Sequence, residues 1–507
     1  MWLFLATIIV LACAALYLVI FYFWKLGKIR KLVKCPGPPS MPFIGSAHYF
    51  MGSTEDILNE FRKWMNMYPS PFHAWLGTRL FYVVYEPQQL KRLKFPQTIL
   101  ASSKAIEKED LYKFARPWMG TGLFTAPASK WRLHRKLIMP TFNPRILEGF
   151  VEIFAKQANV LVKELRVELD AGEFDIFQYV SLCTLDIICE TAMGVPSSVQ
   201  VQRKSLYVDA AKRLFEIMFS RMLKIWMHPD IVFNLTRDGR NWREGIRFVH
   251  DLTDQVIKKK KLALMSSNKT PQDGEFKKAF LDQLMELTNE GKKFTDEELR
   301  EEVDTMMIAG NDTTALVNTY VLFMLALFPD VQEKVYQEQF EIYGDSDPSD
   351  VPVRHEDLNR MDYLERVIKE TLRLFPIAPI VVRKITDDLN IGEHTLVKGS
   401  SVVLAFLKTH WSEEYWPDPM RFDPDRFLPE ECLKRHPYTF LPFSGGQRNC
   451  IGRKYAMMAM KVLLAMIVRK YVLIKDQVIL LEDIRLKIDL MLKPVKPITL
   501  RIEKRHA

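Results

Sequence analysis

The longest apolar run in the chain lies at its start. Trp2 to Trp24 is 23 residues without one charged side chain, rich in Leu, Ile, Val, Ala and Phe. A helix needs about 20 such residues to cross the hydrocarbon layer of a bilayer. Trp2, Tyr22 and Trp24 place amphipathic rings near the ends of the run, where interfacial anchors sit. A cleaved signal peptide would have a shorter apolar core, preceded rather than followed by basic residues. The pattern predicts a single uncleaved transmembrane anchor over 1–24, and no second run approaches its length. Cys35-Pro-Gly-Pro-Pro-Ser-Met-Pro42 follows, too proline-rich to continue a helix. It reads as a hinge that completes a basic, Pro-rich segment over 25–42, or as a plain linker; either way a domain begins near Phe43.

Within that domain, apolar positions recur with helical spacing over Thr54–Tyr68, Pro144–Leu169, Phe177–Ala192, Tyr207–Trp226, Asn241–Met265 and Arg453–Lys470. Strand-like stretches occur at Phe72–Val84, more densely from Val381 onward, and again through Tyr471–Glu503. Ser266–Glu275 reads as a polar surface loop. The expected class is mainly α with minor β sheets. The most telling helix begins at Phe294-Thr-Asp-Glu-Glu298, a capping box with Thr295 as N-cap and Glu298 at N3. It continues to Phe328, where Pro329 ends it, so it must cross the whole body. Its centre, Ala309-Gly-Asn-Asp-Thr-Thr-Ala315, is built of mediocre helix formers. Such a centre is expected to open a groove or meet a ligand.

Length alone, 507 residues, suggests about three average domains, but one helix spanning the body argues for a single domain over 43–507. A composition of 48% hydrophobic and 26% charged residues excludes a disordered chain. The net charge of +9 raises the question of a nucleic-acid partner. Lys25, Lys28, Arg30, Lys31 and Lys34 answer most of it: they follow the apolar run with no acid among them, leaving 66 basic against 62 acidic residues elsewhere. Positive charge on that flank places the domain on the cytosolic face, and no nucleic acid is needed. The six cysteines form neither CxxC pairs nor a disulfide framework, which fits a reducing compartment.

One cysteine stands apart. In Phe443-Ser-Gly-Gly-Gln-Arg-Asn-Cys450-Ile-Gly452 the glycines allow close backbone approach. Cys450 precedes a helix, whose N-terminus favours a thiolate, and Arg448 adds positive charge nearby. A nucleophile would need a histidine partner, and none of the ten histidines lies in a recognisable motif. A single soft thiolate suits a haem iron better.

The spacing Phe443-x-x-Gly446-x-Arg448-x-Cys450-x-Gly452 resembles the haem loop of the cytochromes P-450. Further motifs stand in the family's order: Trp131-Arg-Leu-His-Arg135, Ala309–Thr314, Glu370-Thr-Leu-Arg373 and Phe422-Asp-Pro-Asp-Arg426-Phe427. The apolar start and Pro-rich hinge resemble the microsomal class. The surroundings of Glu301-Glu-Val-Asp-Thr305 and of Ser102 to Trp118 resemble the clan of fatty-acid ω-hydroxylases, its insect members above all.

The resemblance implies the cytochrome P-450 fold behind one membrane helix, and a non-covalent haem b with Cys450 as axial thiolate. Phe443 and Gly446 would cover the sulfur, while Arg448, Arg135, Arg383 and Trp131 would bind the propionates. Asp312 and Thr313 would form the acid–alcohol pair that supplies protons. Glu370, Arg373 and Arg426 would form a structural triad. The implied activity is insertion of one oxygen atom from O2 into a lipophilic small molecule, whether fatty acid, terpenoid or steroid-like hormone, or xenobiotic. Its pocket would draw on Phe114–Phe124, Phe215–Leu223, Ile308–Thr313, Ile377–Val382 and Met491-Leu492. With no GxGxxG or flavin segment in the chain, electrons would come from NADPH through a separate cytochrome P-450 reductase at the endoplasmic reticulum membrane, with cytochrome b5 a further candidate. A haem-thiolate isomerase or dehydratase acting on lipid peroxides, or a non-enzymatic haem protein, would dispense with the acid–alcohol pair.

Many members of that branch carry, just before the central glycine, a glutamate able to esterify haem; here the residue is Ala309. Denaturing extraction is therefore expected to release all the haem, and pigment retained on the polypeptide would contradict this reading.

Overall fold

The computed structural model describes residues 33–90, 99–266, 279–289 and 294–505, with isolated positions between Cys13 and Leu32. Most of the predicted anchor over 1–24 and nearly all of the loop expected at 266–275 lie outside the described residues. Among the described residues no single helix is long and apolar enough to cross a membrane.

Local signals start the elements. Helix α1 (Thr54–Met67) opens on a capping box in which Ser53 and Asp56 satisfy each other's backbone N–H groups. A hairpin follows, β1 (Phe72–Leu76) and β2 (Arg79–Val84), then the two-residue strand β3 (Glu107–Lys108). Helices α2 (Ala128–Ile138), α3 (Pro144–Glu164), α4 (Ile176–Thr191), α5 (Leu206–Leu223) and α6 (Arg237–Ser266) make up most of the first half. The longest helix, α7 (Asp296–Leu327), starts on the Thr295–Glu298 capping box read from the sequence. Beyond it come α8 (Asp362–Leu374), β4 (Val381–Lys384), β5 (Ser401–Leu404) and α9 (Arg453–Lys470). The chain closes with β6 (Tyr471–Ile474), a hairpin of β7 (Leu486–Ile488) and β8 (Leu492–Pro494), and β9 (Thr499–Lys504), which pairs back onto β6.

The main sheet has the order β1-β2-β5-β4-β3. Only the β2–β5 pairing is parallel, and the register sets Lys108 directly opposite Arg383. Thus residues far apart in sequence reach one sheet edge.

Helix α7 is the axle of the helical part, packed against α4, α9 and α8. From Glu301 to Ala326 every residue is buried except Ala309, Gly310 and Thr313. The helix backbone stays continuous through this weak centre, because the Thr313 hydroxyl donates to the Ala309 carbonyl at 2.6 Å and so satisfies itself inside the helix. Gly310 has a packing reason: a Cβ there would lie 2.4 Å from Cδ1 of Ile188 on α4. The expected opening is therefore a bare face on an intact helix rather than an unwound turn.

Buried charges fasten the frame. Glu302, fully buried on α7, accepts from the Leu123 N–H at 3.0 Å and meets His134 Nδ1 of α2 at 2.7 Å. Glu370 and Arg373 of α8, both 0% exposed, pair through two bonds of 2.7 Å. Arg426 Nε approaches Glu370 Oε1 to 3.4 Å, and the Asp423 N–H donates to the same oxygen at 3.1 Å. From Arg373 the chain of bonds continues outward: its Nη1 donates to the His410 carbonyl at 3.0 Å, and His410 Nε2 accepts from the Leu441 N–H at 2.8 Å. Burial and the Arg373 charge push His410 down to about 3, so its ring is neutral and free to accept. Leu441 is two residues before Phe443, so the ion pair is tied to the cysteine loop through one histidine.

Removing one partner of a buried pair strands the other charge. Glu370→Ala is expected to lower the unfolding free energy by about 3–5 kcal/mol, read as an earlier guanidinium midpoint; an unchanged midpoint would refute the structural role.

Candidate functional site

Phe443–Gly452 is held as a tight loop ahead of α9. The Cys450 N–H donates to the Phe443 carbonyl at 2.9 Å, and the Asn449 N–H to that of Gly446 at 3.3 Å. Gly446 has φ +70, and a Cβ on it would lie 1.8 Å from the Leu100 carbonyl oxygen. Only a glycine permits that approach. Phe443 is half-buried, with the Arg453 guanidinium 5.8 Å from its ring centre.

Cys450 has two properties that rarely coincide. It is surrounded by protein, yet much of its own surface is bare. A residue lining an internal opening satisfies both. The helix start and neighbouring cations act on its thiol as the sequence suggests: the Gly452 N–H, Arg135 and Arg453 all favour the thiolate. Burial outweighs them, and the net shift is upward. Without a ligand the thiol thus holds its proton more firmly than a free one, and a bound metal ion is what would take the proton's place.

Beside the loop lies an unusual group of cations. Arg448 donates from Nη2 to the Ala126 carbonyl at 2.8 Å and rests 4.7 Å from the Trp131 ring centre. Its Nε and Nη1 are buried with no hydrogen-bond partner. Arg383 is buried and bonds only the carbonyl of Val382, at 3.1 Å. Lys108, opposite it in the sheet, sets its ammonium 4.4 Å from the Tyr112 ring and 4.6 Å from that of Phe124. Burial, then Arg383 and Arg448, push the Lys108 amine well below its ordinary range. Burial and Arg383 bring Arg448 down to about 10, still charged at neutral pH. None of the three has an ion-pair partner among the described residues. Arg383 and Arg448 share a small cavity with Gly445 and Gln447.

Arg135 is placed differently from the sequence expectation. Both terminal nitrogens are engaged by Asn449, Nη1 with its carbonyl and Nη2 with its side chain, each at 2.8 Å. In this geometry it clamps the cysteine loop. Trp131, Arg135, Asn449 and Cys450 line one cleft of about 1000 Å3, with Arg132, Lys136, Arg453 and Lys454 also on its walls.

On α7, Asp312 is buried and accepts only from the Asn311 side-chain amide, at 3.3 Å. Burial pushes it up to about 6. Thr313 follows it on the partly bare face. Of the expected pocket segments, Phe219, Met222, Leu223, Ile380 and Val382 line an apolar cavity. Trp118 instead packs into the core against Phe215 and Trp242, and Leu490 lines the cavity where Met491-Leu492 was expected. Lys108 and His410 were not anticipated. Neither lies in a motif, and the cross-strand register and the Leu441 bond that give them roles are tertiary facts.

The donor set fits a flat, dianionic metal complex: orphaned guanidinium nitrogens and an unpaired ammonium for carboxylates, a bare thiol for the metal, and a bare helix face. Comparison with known proteins agrees. The family described as Cytochrome P450 matches residues 35–501. The chain is 37% identical to "Cytochrome P450 4V2" of Mus musculus, covering 92% of this chain and 88% of that one. It is 36% identical to "Cytochrome P450 4c21" of Blattella germanica, covering 97% of each, and 34% identical to "Cytochrome P450 4c3" of Drosophila melanogaster, covering 98% and 94%. The solved haem domain of cytochrome P450DA superposes with a TM-score of 0.78 at 24% identity, over 94% of this chain and 98% of that one, a likeness of fold. The chain belongs to the cytochrome P450 monooxygenase family, whose members bind haem b through a cysteine thiolate.

Gly446→Ala is expected to lower haem per polypeptide severalfold, because its new methyl group meets backbone, whereas Gly445→Ala meets only the flexible Leu100 and Leu441 side chains at 3.3 and 3.4 Å. Equal pigment ratios in the two purified variants would contradict this account of the loop.

Proposed function

We propose that this chain is a membrane-anchored haem-thiolate monooxygenase that inserts one oxygen atom from O2 into a lipophilic small molecule, using NADPH-derived electrons delivered by a separate cytochrome P-450 reductase, with cytochrome b5 a second donor. The observation that carries the reading is the group of cations without an ion-pair partner among the described residues, buried Arg383 with half-buried Lys108 and Arg448, beside a bare, deeply placed Cys450. When bound, haem b supplies the redox centre for oxygen activation, and thiolate ligation favours O–O cleavage.

The chain's own residues do the rest. Cys450 holds the metal, and Phe443 and Gly446 shield its sulfur from solvent. Arg448 and Arg383 receive the propionates as planar donors suited to carboxylates, with Lys108 a third cation and Trp131 stacked beneath Arg448. Arg135 keeps Asn449, and with it Cys450, in register. The Thr313 hydroxyl, now satisfied by the Ala309 carbonyl, can rotate to hold a water at the bare face. Asp312, poised near 6, can give and regain a proton near neutral pH. That pair has no task in an isomerase or a haem carrier.

The anchor over 1–24, the hinge over 25–42 and the catalytic domain over 43–507 complete the proposal, at the cytosolic face of the endoplasmic reticulum. Two features support it. Leu16, Tyr17, Ile20 and Phe23 are exposed, as are Phe43, Trp226, Ile231 and Leu235. The Gly77 Cβ position lies within 4 Å of both the Phe43 carbonyl and the Ile225 side chain, so the last two apolar groups adjoin and suit a lipid surface. The basic cleft beside Cys450 suits an acidic redox partner.

A reduced, CO-bound spectrum with the Soret band of thiolate ligation, together with reductase-dependent NADPH consumption, tests the reading; absence of the band overturns it. Thr313→Ala is expected to lower product per NADPH by about tenfold or more and to raise peroxide, whereas unchanged coupling would remove the threonine from proton delivery.

A further inference from the structure

Among the described residues, the apolar cavity has a single carboxylate in its wall and no cation. Phe50, Phe61, Trp64, Trp75 and Phe219 supply much of the lining, with about 100 Å3 of open space among them. Glu109 is the exception. Its side chain is 2% exposed, its Oε1 accepts from Arg79 Nη1 at 2.8 Å, and its Oε2 accepts from the Leu111 N–H. Among the described residues no lysine, arginine or histidine lines the cavity. Tyr112 does, its hydroxyl oxygen accepting from the Val382 backbone N–H, so the hydroxyl can still donate a hydrogen bond but brings no positive charge.

Two of the nearby cations are already paired. Arg79 is held by Glu109 and lies 3.8 Å from Asp110, and Lys384 pairs with Asp110 at 3.0 Å. Lys108 does not line the cavity, and sits with Arg383 and Arg448. An anionic ligand here would lose its hydration and find no donor cation. To gain Arg79 it would have to displace Glu109, leaving that carboxylate buried and unpaired. A neutral chain meets neither obstacle.

We propose that Glu109 is a specificity-determining residue that makes this cavity select neutral lipophiles, such as esters, alcohols or hydrocarbons, over free carboxylic acids. The inference narrows the substrate class of the enzyme proposed above and rests on that reading for what the cavity feeds; occupancy of the cavity does not depend on it.

Trp64 and Trp75 in the wall provide the readout, since a brominated chain quenches indole fluorescence at contact range. The holoprotein is titrated at neutral pH with 9,10-dibromooctadecanoic acid and with its methyl ester. The ester is expected to quench with an apparent Kd about tenfold or more below that of the acid, equivalent to about 1.4 kcal/mol. Most of the quenching should vanish in a Trp64→Phe/Trp75→Phe double variant, and Glu109→Gln should narrow the gap by tightening the acid. Acid binding equal to or tighter than ester binding overturns the proposal, with or without a folded Glu109→Gln protein. So does an ester that fails to quench, or quenching that persists in the double variant. The CO spectrum of the same samples reports separately on the haem-thiolate reading, so a lost Soret band and a lost ester preference are distinguishable failures.

Discussion

Like charges held together repel, and this fold groups three of them, buried Arg383 with half-buried Lys108 and Arg448, with no ion-pair partner among the described residues. Burial first, and neighbouring guanidinium charge second, lowers the proton affinity of Lys108 and Arg448, an arrangement that costs stability unless an anion enters. Much of the surrounding structure serves to keep them there. The sheet register sets Lys108 against Arg383, Trp131 lies beneath Arg448, and Gly446 lets the loop press against Leu100. On the proposed reading, the two propionates of haem b would be the missing counter-charge. Apoprotein stability and cofactor binding are then one electrostatic problem, with ligand binding favouring the folded state by mass action.

Elsewhere the same interior treats charge in the opposite way. Glu370 with Arg373, and Glu302 with His134, are as deeply buried as the cation group, yet each has its partner within 2.7 Å. These contacts join α8 to the cysteine loop through His410 and α2 to α7. Buried polar groups with complete partners brace the frame, while those left incomplete mark where something else must bind.

How legible this was depends on the range of the interaction. Capping boxes, helix periodicity and the proline stop are local, so α7 and α9 were readable almost to the residue, and the motifs pointed to Cys450 and to Glu370, Arg373 and Arg426, which the structure brings together. What was hidden is tertiary. Lys108 gains meaning only through strand pairing, and His410 only through the Leu441 N–H. Arg135, which the resemblance assigns to a propionate, is held by Asn449 in this structure, a contact no motif displays. The helix start was real, but its pull on the Cys450 thiol is weaker than desolvation, a balance that no sequence displays. The weak centre of α7 marked a place but not its form: Thr313 bonds its own helix backbone, and only the packing shows that the face there is bare.

Two buried carboxylates make the final point about how environment divides labour. Both Asp312 and Glu109 are pushed upward by burial. Glu109 is gripped by Arg79 and a backbone N–H, so its position is fixed and its wall repels anions. Asp312 has only the amide of Asn311 at hydrogen-bond range and no ion-pair partner among the described residues, so its proton remains exchangeable. A carboxylate bound by a cation suits discrimination, and one left almost alone suits proton traffic. The difference lies not in the residue type or the depth of burial but in whether a cation stands in hydrogen-bond contact, as Arg79 does with Glu109.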